Sequence, residues 1–198
     1  MRPLTLDDLI PLEEYAARRR EYFESLTRYL DRYRRIRIGP SVMLVFENRQ
    51  TLWFRLHELL RVARLADPVF VQRELDTYNR LLPGRDQLQA ALLLEASDPG
   101  CDLGFWRGLD GNHLQFCFGV KNYSAQLVTC RPEDRCLGTA HWVRFVLDAA
   151  GRRLLADWHR PASFRIVHAD YRHDSAALSE DVRQSLLEDL ELSDRDSA

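Results

Sequence analysis

The residues most able to do chemistry lie where a predicted strand meets a predicted helix. Phe46-Glu47-Asn48-Arg49 places an acid, an amide and a guanidinium together at this junction. Unpaired backbone N–H groups at the start of a helix attract anions, and an arginine can hold a carboxylate or phosphate through two hydrogen bonds. The junction is therefore a candidate site for a small anion. In the alternative interpretation Asn48 caps the helix, while Glu47 and Arg49 pair with neighbours and fix the turn.

A second polar group follows on the same helix. Trp53, His57, Arg61 and Arg64 are spaced by four, four and three residues, so they lie close together on one helical edge, and Glu58 can reach Arg55 or Arg61. A histidine beside arginines tends to stay neutral, which suits a proton acceptor. A solvated helix edge with ordinary surface pairs explains the same pattern.

The sequence gives little support for a metal, a cofactor or nucleic acid. The spacing of Cys130, Cys136 and His141 is unlike that of closed zinc sites, and His168 with His173 lacks the i, i+4 spacing of a helical zinc site. We therefore predict no metal and no cofactor, and interpret all four cysteines, including Cys101 and Cys117, as reduced structural thiols. The arginines of the first helix alternate with acids, which argues against a nucleic-acid surface.

The elements that must position these residues are predicted from periodicity and capping. Apolar residues at helical spacing predict a helix from Glu13 to Arg35, and a capping-box pattern at Thr5 and Asp8 precedes it. The many arginines of this helix, Arg34 included, are interpreted as a solvated face. Strands are expected at 35–38 and 41–46, and two helices capped by Asn48 and Asp67 follow them. Five further strands are predicted at 88–94, 113–120, 125–129, 141–147 and 164–167. A last helix is capped by Ser179.

These elements predict one α+β domain over residues 1–198. Its parts are a helix-rich region at 1–83 with one short strand pair, a strand-rich region at 84–178, a C-terminal helix at 179–192 and a frayed tail at 193–198. We expect the long N-terminal helix and two further helices to pack on a mainly antiparallel sheet, closed by the C-terminal helix. A formal charge of −2 rules out a broad basic field. The first residues lack the uninterrupted apolar core of a secretory signal, and no apolar run is long enough to span a membrane, so the chain is predicted to be cytoplasmic and not bound to a membrane.

Several blocks of the chain resemble one bacterial family. These are Gly39-Pro40, Val45 to Thr51, Glu58 to Arg61, Glu74 to Asn79 with Leu82-Pro83, and Leu92 to Glu95. Together they are similar to domain of unknown function 3501 (DUF3501). Tyr78 and Asn79 belong to the fourth block and complete the candidate polar site with Glu47, Asn48, Arg49, His57, Glu58 and Arg61. The chain departs from the family pattern at Ser41, His57 and Ala63, where histidine, glutamine and an acid are usual, so a site at those positions would be altered in this member.

The resemblance implies a context and no reaction. Members of the family look to be encoded beside a rubrerythrin-type di-iron protein and an iron–sulfur oxidoreductase, which suggests a redox or peroxide-stress pathway. Our leading hypothesis is a non-catalytic accessory protein that binds such a partner through the first helix or the groove beside Glu47 and Arg49. The alternative is a small enzyme or ligand-binding protein for an anion or thiol, with Arg49 and Arg61 as clamps, Glu47 or Glu58 as base and His57 as proton carrier. A third possibility is that these residues form a buried structural network.

Overall fold

The structure, a computed structural model, describes residues 1–94, 106, 108–128 and 141–195. It contains five α-helices and nine strands in this part of the chain. The helices are α1 (Leu12–Tyr33), α2 (Arg49–Ala63), α3 (Pro68–Asn79), α4 (Ala149–Ala156) and α5 (Glu180–Arg195). The strands are β1 (Arg35–Ile38), β2 (Val42–Phe46), β3 (Gln87–Leu94), β4 (Leu114–Phe118), β5 (Lys121–Ser124), β6 (Gln126–Val128), β7 (His141–Val146), β8 (Ser163–His168) and β9 (Tyr171–Asp174). This confirms the predicted α+β class.

The strands form two antiparallel sheets that meet at both sides. The first has the order β1-β2-β3-β7-β6 and the second the order β5-β4-β8-β9. Ala125 alone separates β5 from β6, and its N–H donates to the carbonyl of Leu114 at 2.8 Å. On the other side a single bridge joins Ile38 to Ser175, just after β9. The two sheets consequently enclose one shared core.

That core is apolar and rich in phenylalanine. Phe116 and Phe164 stack with ring centroids 4.2 Å apart, and Phe46 lies 5.4 Å from Phe164. Val182, Leu186 and Leu190 of α5 belong to the same buried cluster, so the C-terminal helix closes it as predicted. α5 continues to Arg195, beyond Ser193 where we predicted fraying.

The first sheet is also covered on its outer face. Met43, Val45, Ala91 and Trp142 form a second buried cluster there, against Leu30 of α1 and other partly buried side chains. Because β2 is buried on both faces, it reads as an uninterrupted apolar run in the sequence. No helix in the ranges that the structure describes is long and apolar enough to cross a bilayer.

The capping predictions hold at the helix starts. Asn48 and Asp67 cap α2 and α3, with Pro68 at the first position of α3. Thr5 and Asp8 do form a capping box, but it encloses a single 3-10 turn at Leu6–Asp8, and α1 starts later, at Leu12. The first eleven residues, here called the N-terminal segment, are therefore separate from the long helix.

Candidate functional site

The side chains of Glu47 and Asn48 bond to residues of α2. The Asn48 side-chain oxygen accepts from the N–H groups of Gln50 and Thr51 at 3.0 and 3.1 Å. The buried Glu47 carboxylate accepts from the Thr51 hydroxyl at 2.5 Å and lies 2.7 Å from Arg55. Arg55 thus compensates the charge of Glu47. Both partners, Thr51 and Arg55, lie on α2, four and eight residues further along the chain.

Arg49 does not pair with Glu47 but reaches the N-terminal segment. Its guanidinium lies 2.6 Å from the Asp8 carboxylate. The hydrogen bond from Arg49 is the main reason why the pKa of Asp8 falls to about 2. Arg49 therefore already has a carboxylate partner in the position where an anion clamp was predicted.

A buried polar network that the sequence did not predict extends from this turn. The Tyr29 hydroxyl accepts from the Asn48 amide and from Nε of Arg34, both at 2.8 Å. Arg34 forms a two-pronged ion pair with Asp189 of α5 and donates to the Ser185 carbonyl at 3.4 Å. Arg34 and Asp189 are each only 2% exposed. The prediction that Arg34 lies on a solvated face was wrong, because a carboxylate from the far end of the chain neutralises it in the interior.

His57 is buried and holds the N-terminal segment. Its Nε2 accepts from the N–H of Ile10 at 3.2 Å, and its Nδ1 lies 2.8 Å from the Trp53 carbonyl, which assigns the proton to Nδ1. The Tyr15 and Trp53 rings flank the imidazole, with centroids 4.9 and 4.0 Å away. Burial lowers the pKa of His57, so the imidazole is neutral as predicted, although desolvation is the cause and not the arginines. Both ring nitrogens have partners within the chain.

Glu58 lies at the centre of an ion cluster between α1 and α2. It accepts from the Tyr15 hydroxyl at 2.9 Å, from Arg19 at 2.9 and 2.8 Å and from Arg61 at 3.2 and 3.1 Å. Partial burial would raise the pKa of Glu58, but these hydrogen bonds outweigh it and bring the pKa down to about 2. A carboxylate with so low a pKa is a weak proton acceptor near neutral pH.

The two candidate residues from α3 differ in what they contact: Asn79 binds the N-terminal segment and Tyr78 lies in the core. Asn79 pairs with the backbone of Leu4, accepting from its N–H at 2.7 Å and donating to its carbonyl at 2.8 Å. Tyr78 is buried, and burial is the main cause of its raised pKa. The structure therefore brings all eight candidate residues into one region around α2, where most of them stabilise the fold.

The N-terminal segment is held by side chains along its length. Besides Asn79, His57 and Arg49, Trp53 donates its indole N–H to the Asp8 carbonyl at 2.8 Å. The segment in turn forms one wall of a groove of about 560 Å³. The groove is lined mainly by apolar residues: Leu6, Leu9, Ile10, Pro11, Leu12 and Glu13 on one side, and Leu60, Leu65, Ala66, Pro68 and Val71 from the end of α2 and the start of α3 on the other. Several of these, including Leu6 and Ala66, are exposed, so the groove is open to solvent.

The described residues offer no site for a metal. Within 1–94, 106, 108–128 and 141–195, no three histidine, cysteine or acidic side chains are grouped so as to hold one. Cys117 is buried with a free thiol, and burial raises its pKa. Cys101, Cys130 and Cys136 lie outside the described residues.

The fold and the site together define an α+β protein with two enclosing sheets, a buried polar network and an open apolar groove. A family model described as "Protein of unknown function (DUF3501)" matches residues 3–190. The chain belongs to this family, as its sequence blocks indicated.

A solved structure of similar fold covers almost the entire chain. It is a crystal structure of a protein of unknown function from Burkholderia pseudomallei K96243, 28% identical in sequence, with a TM-score of 0.84 over 96% of this chain and 100% of that chain. No curated protein matches the chain.

Proposed function

We propose that this chain is a non-catalytic accessory protein that binds a partner through the groove beneath its N-terminal segment. The observation that carries the proposal is the contrast between the two kinds of site. The groove is open and lined by apolar side chains with a single charged residue, Glu13. The polar residues suited to catalysis are instead engaged in contacts that hold the fold together.

The bonding of the candidate acids and bases argues against the enzyme hypothesis. A general base needs a free lone pair and a pKa near the working pH. Glu58 has a pKa of about 2 and accepts five hydrogen bonds. Glu47 is fully buried beside Arg55, and His57 is closed off by Ile10 and Trp53. These contacts support the network interpretation of the three residues.

The size and surroundings of the groove support binding. Ligand and anchor pockets in proteins commonly measure roughly 300–1,000 Å³ and are mostly apolar, and the groove of about 560 Å³ falls in that range. Leu6 on its wall is 46% exposed, and the nearby chain carries Val62 and Val69 at 69% and 61%. An apolar groove with an exposed apolar side chain on its wall is typical of an interaction surface.

The partner to test first is the one that the family context suggests, an iron–sulfur oxidoreductase or a rubrerythrin-type protein from the same host. Each would be purified and titrated against this chain by isothermal titration calorimetry. Leu6→Arg and Ala66→Arg place a charge in the groove at exposed positions, so the fold should survive. Val120→Arg is the matched control, because Val120 is 97% exposed on the β4–β5 turn.

We expect the partner to bind the wild-type chain and the Val120→Arg variant, and to bind both groove variants at least about tenfold more weakly. Thermal unfolding of each variant separates a lost interaction from a lost fold. Equal binding by all four chains would place the interface elsewhere. Absence of binding by every such partner would remove the redox assignment.

A further inference from the structure

Most of the exposed charged side chains next to the groove lining in the chain are acidic. Asp7, Glu13, Glu14 and Asp67 line the groove or adjoin its lining residues in the chain, and all four are exposed. Arg64 is the exposed basic side chain beside the lining residues. Two further acids nearby are each shared by two arginines: Asp8 pairs with Arg2 and Arg49, and Glu58 pairs with Arg19 and Arg61. The groove therefore presents an apolar floor with exposed acidic side chains beside it, of which Glu13 lies in its lining.

We infer that the occupant of the groove is an amphipathic helix of a partner protein, with apolar anchors on one face and lysine or arginine beside them. This rests on the proposed function and specifies the chemistry of its partner. Helices that bind in apolar grooves insert anchors spaced by three or four residues. Basic residues flanking those anchors meet Glu13 and Glu14 at the start of α1, where complementary charge selects the partner and speeds association.

The same charges disfavour the other occupants of an apolar groove. A fatty acid or an anionic detergent would bring its headgroup toward the carboxylates beside the groove. An anionic bilayer would likewise be repelled, since acidic lipids attract basic protein surfaces. Charge complementarity thus separates a basic helix from lipid ligands of similar apolar content.

Two synthetic amphipathic peptides of equal length test the inference. They share one leucine face and differ only in having lysine or glutamate at the flanking positions. Fluorescence anisotropy would measure their binding to the wild-type chain, to Glu13→Lys/Glu14→Lys and to the control Glu21→Lys/Glu24→Lys, which changes the same number of charges further along α1. The neutral dye Nile red measures apolar binding without charge.

The lysine peptide is expected to bind the wild type at least about tenfold more tightly than the glutamate peptide, with an affinity that falls as salt rises. Reversal of Glu13 and Glu14 should invert that preference, and the control reversal should leave it unchanged. Equal binding of the two peptides would overturn the inference.

If Nile red binds and Ala66→Arg abolishes it while neither peptide binds, the occupant is a small apolar molecule and the helix is refuted, although the groove remains a binding site. If neither the dye nor the peptides bind, the groove is not a binding site, and the proposed function fails with it.

Discussion

Removal of Arg34 should leave a buried carboxylate without its counter-ion. The Arg34–Asp189 pair is almost fully buried, and its two residues are separated by 155 positions. Removal of one member of such a pair generally costs about 3–5 kcal/mol. Arg34→Met keeps much of the side-chain volume, so the loss is mainly electrostatic. For a domain of this size, the expected decrease in the melting temperature is about 10 °C.

The double variant distinguishes an unpaired charge from lost packing. In Arg34→Met/Asp189→Leu neither charge remains, so the cost should fall to about 1–2 kcal/mol, mostly for the donors that the Tyr29 hydroxyl and the Ser185 carbonyl lose. Urea unfolding followed by circular dichroism gives the four free energies of the cycle. The expected coupling between the two changes is several kcal/mol.

The pH dependence of the single variant provides an independent check. Burial raises the pKa of Asp189, and Arg34 acts against that rise in the wild type. Without Arg34 the folded pKa should rise further above the unfolded value, so the folded state holds the proton more tightly. Arg34→Met should therefore lose least stability at acid pH and most above neutral pH. A single-variant cost below about 1 kcal/mol, or a double variant as unstable as the sum of the singles, would refute this reasoning.

Three further perturbations test other parts of the structure. The pKa of His57 is below its ordinary value of 6.5 in the folded protein. The unfolded chain therefore binds the proton more readily, and stability should decline as the pH falls below about 6.5. His57→Gln should flatten that decline between about pH 7 and 5 in urea titrations, and an unchanged decline would contradict this role of His57. The pKa of Glu58 is about 2 instead of 4.5. This shift corresponds to at most about 3 kcal/mol of folding stability, which solvent screening in a partly exposed cluster reduces to roughly 1–2 kcal/mol. This stability is present above pH 4.5 and lost toward pH 2, so Glu58→Gln should lack this acid-dependent part in an acid titration. Gly39 has φ +67°, and an added Cβ would lie 2.6 Å from the Tyr171 hydroxyl, so Gly39→Ala should lower the stability by about 2–4 kcal/mol. Gly119 has φ +66° and open space around it, so Gly119→Ala should lower the stability by only about 1 kcal/mol. Equal shifts in melting temperature for the two variants would refute the clash.

Local patterns predicted those parts of the fold that local physics determines. Asn48 and Asp67 were identifiable as caps because a cap needs only its own side chain and the N–H groups two or three residues further along the chain. The run at β2 was identifiable as a strand because both of its faces are buried. Helix α4 was missed, since its eight residues follow β7 closely and contribute only Gly151 and Leu155 to the buried interior. Strands β5 and β9 were also missed, because their alternating intermediate and exposed side chains leave little hydrophobic pattern.

The candidate site depended on contacts that no local pattern contains. Arg34 has the same type and spacing as the solvated arginines of α1, and only its contact with Asp189 distinguishes it. The groove combines residues 6–13 with residues 60–71, so neither half predicts it alone. One local indication existed: Pro3 and Pro11 bracket Leu4, Leu6 and Leu9, a pattern that is typical of a short separate segment with apolar side chains.

The position of α5 affects how the chain can fold as it is synthesised. Val182, Leu186 and Leu190 complete a core whose other walls include Val42, Leu44 and Phe46 of β2. Those strand residues leave the ribosome long before the helix that covers their core. During that interval a strand with an apolar run and no charge is exposed to other chains, and such segments are prone to intermolecular pairing. Nascent chains that lack α5 are thus expected to depend on chaperones, and shortening the C-terminal helix should lower soluble yield before it affects any interaction of the folded protein.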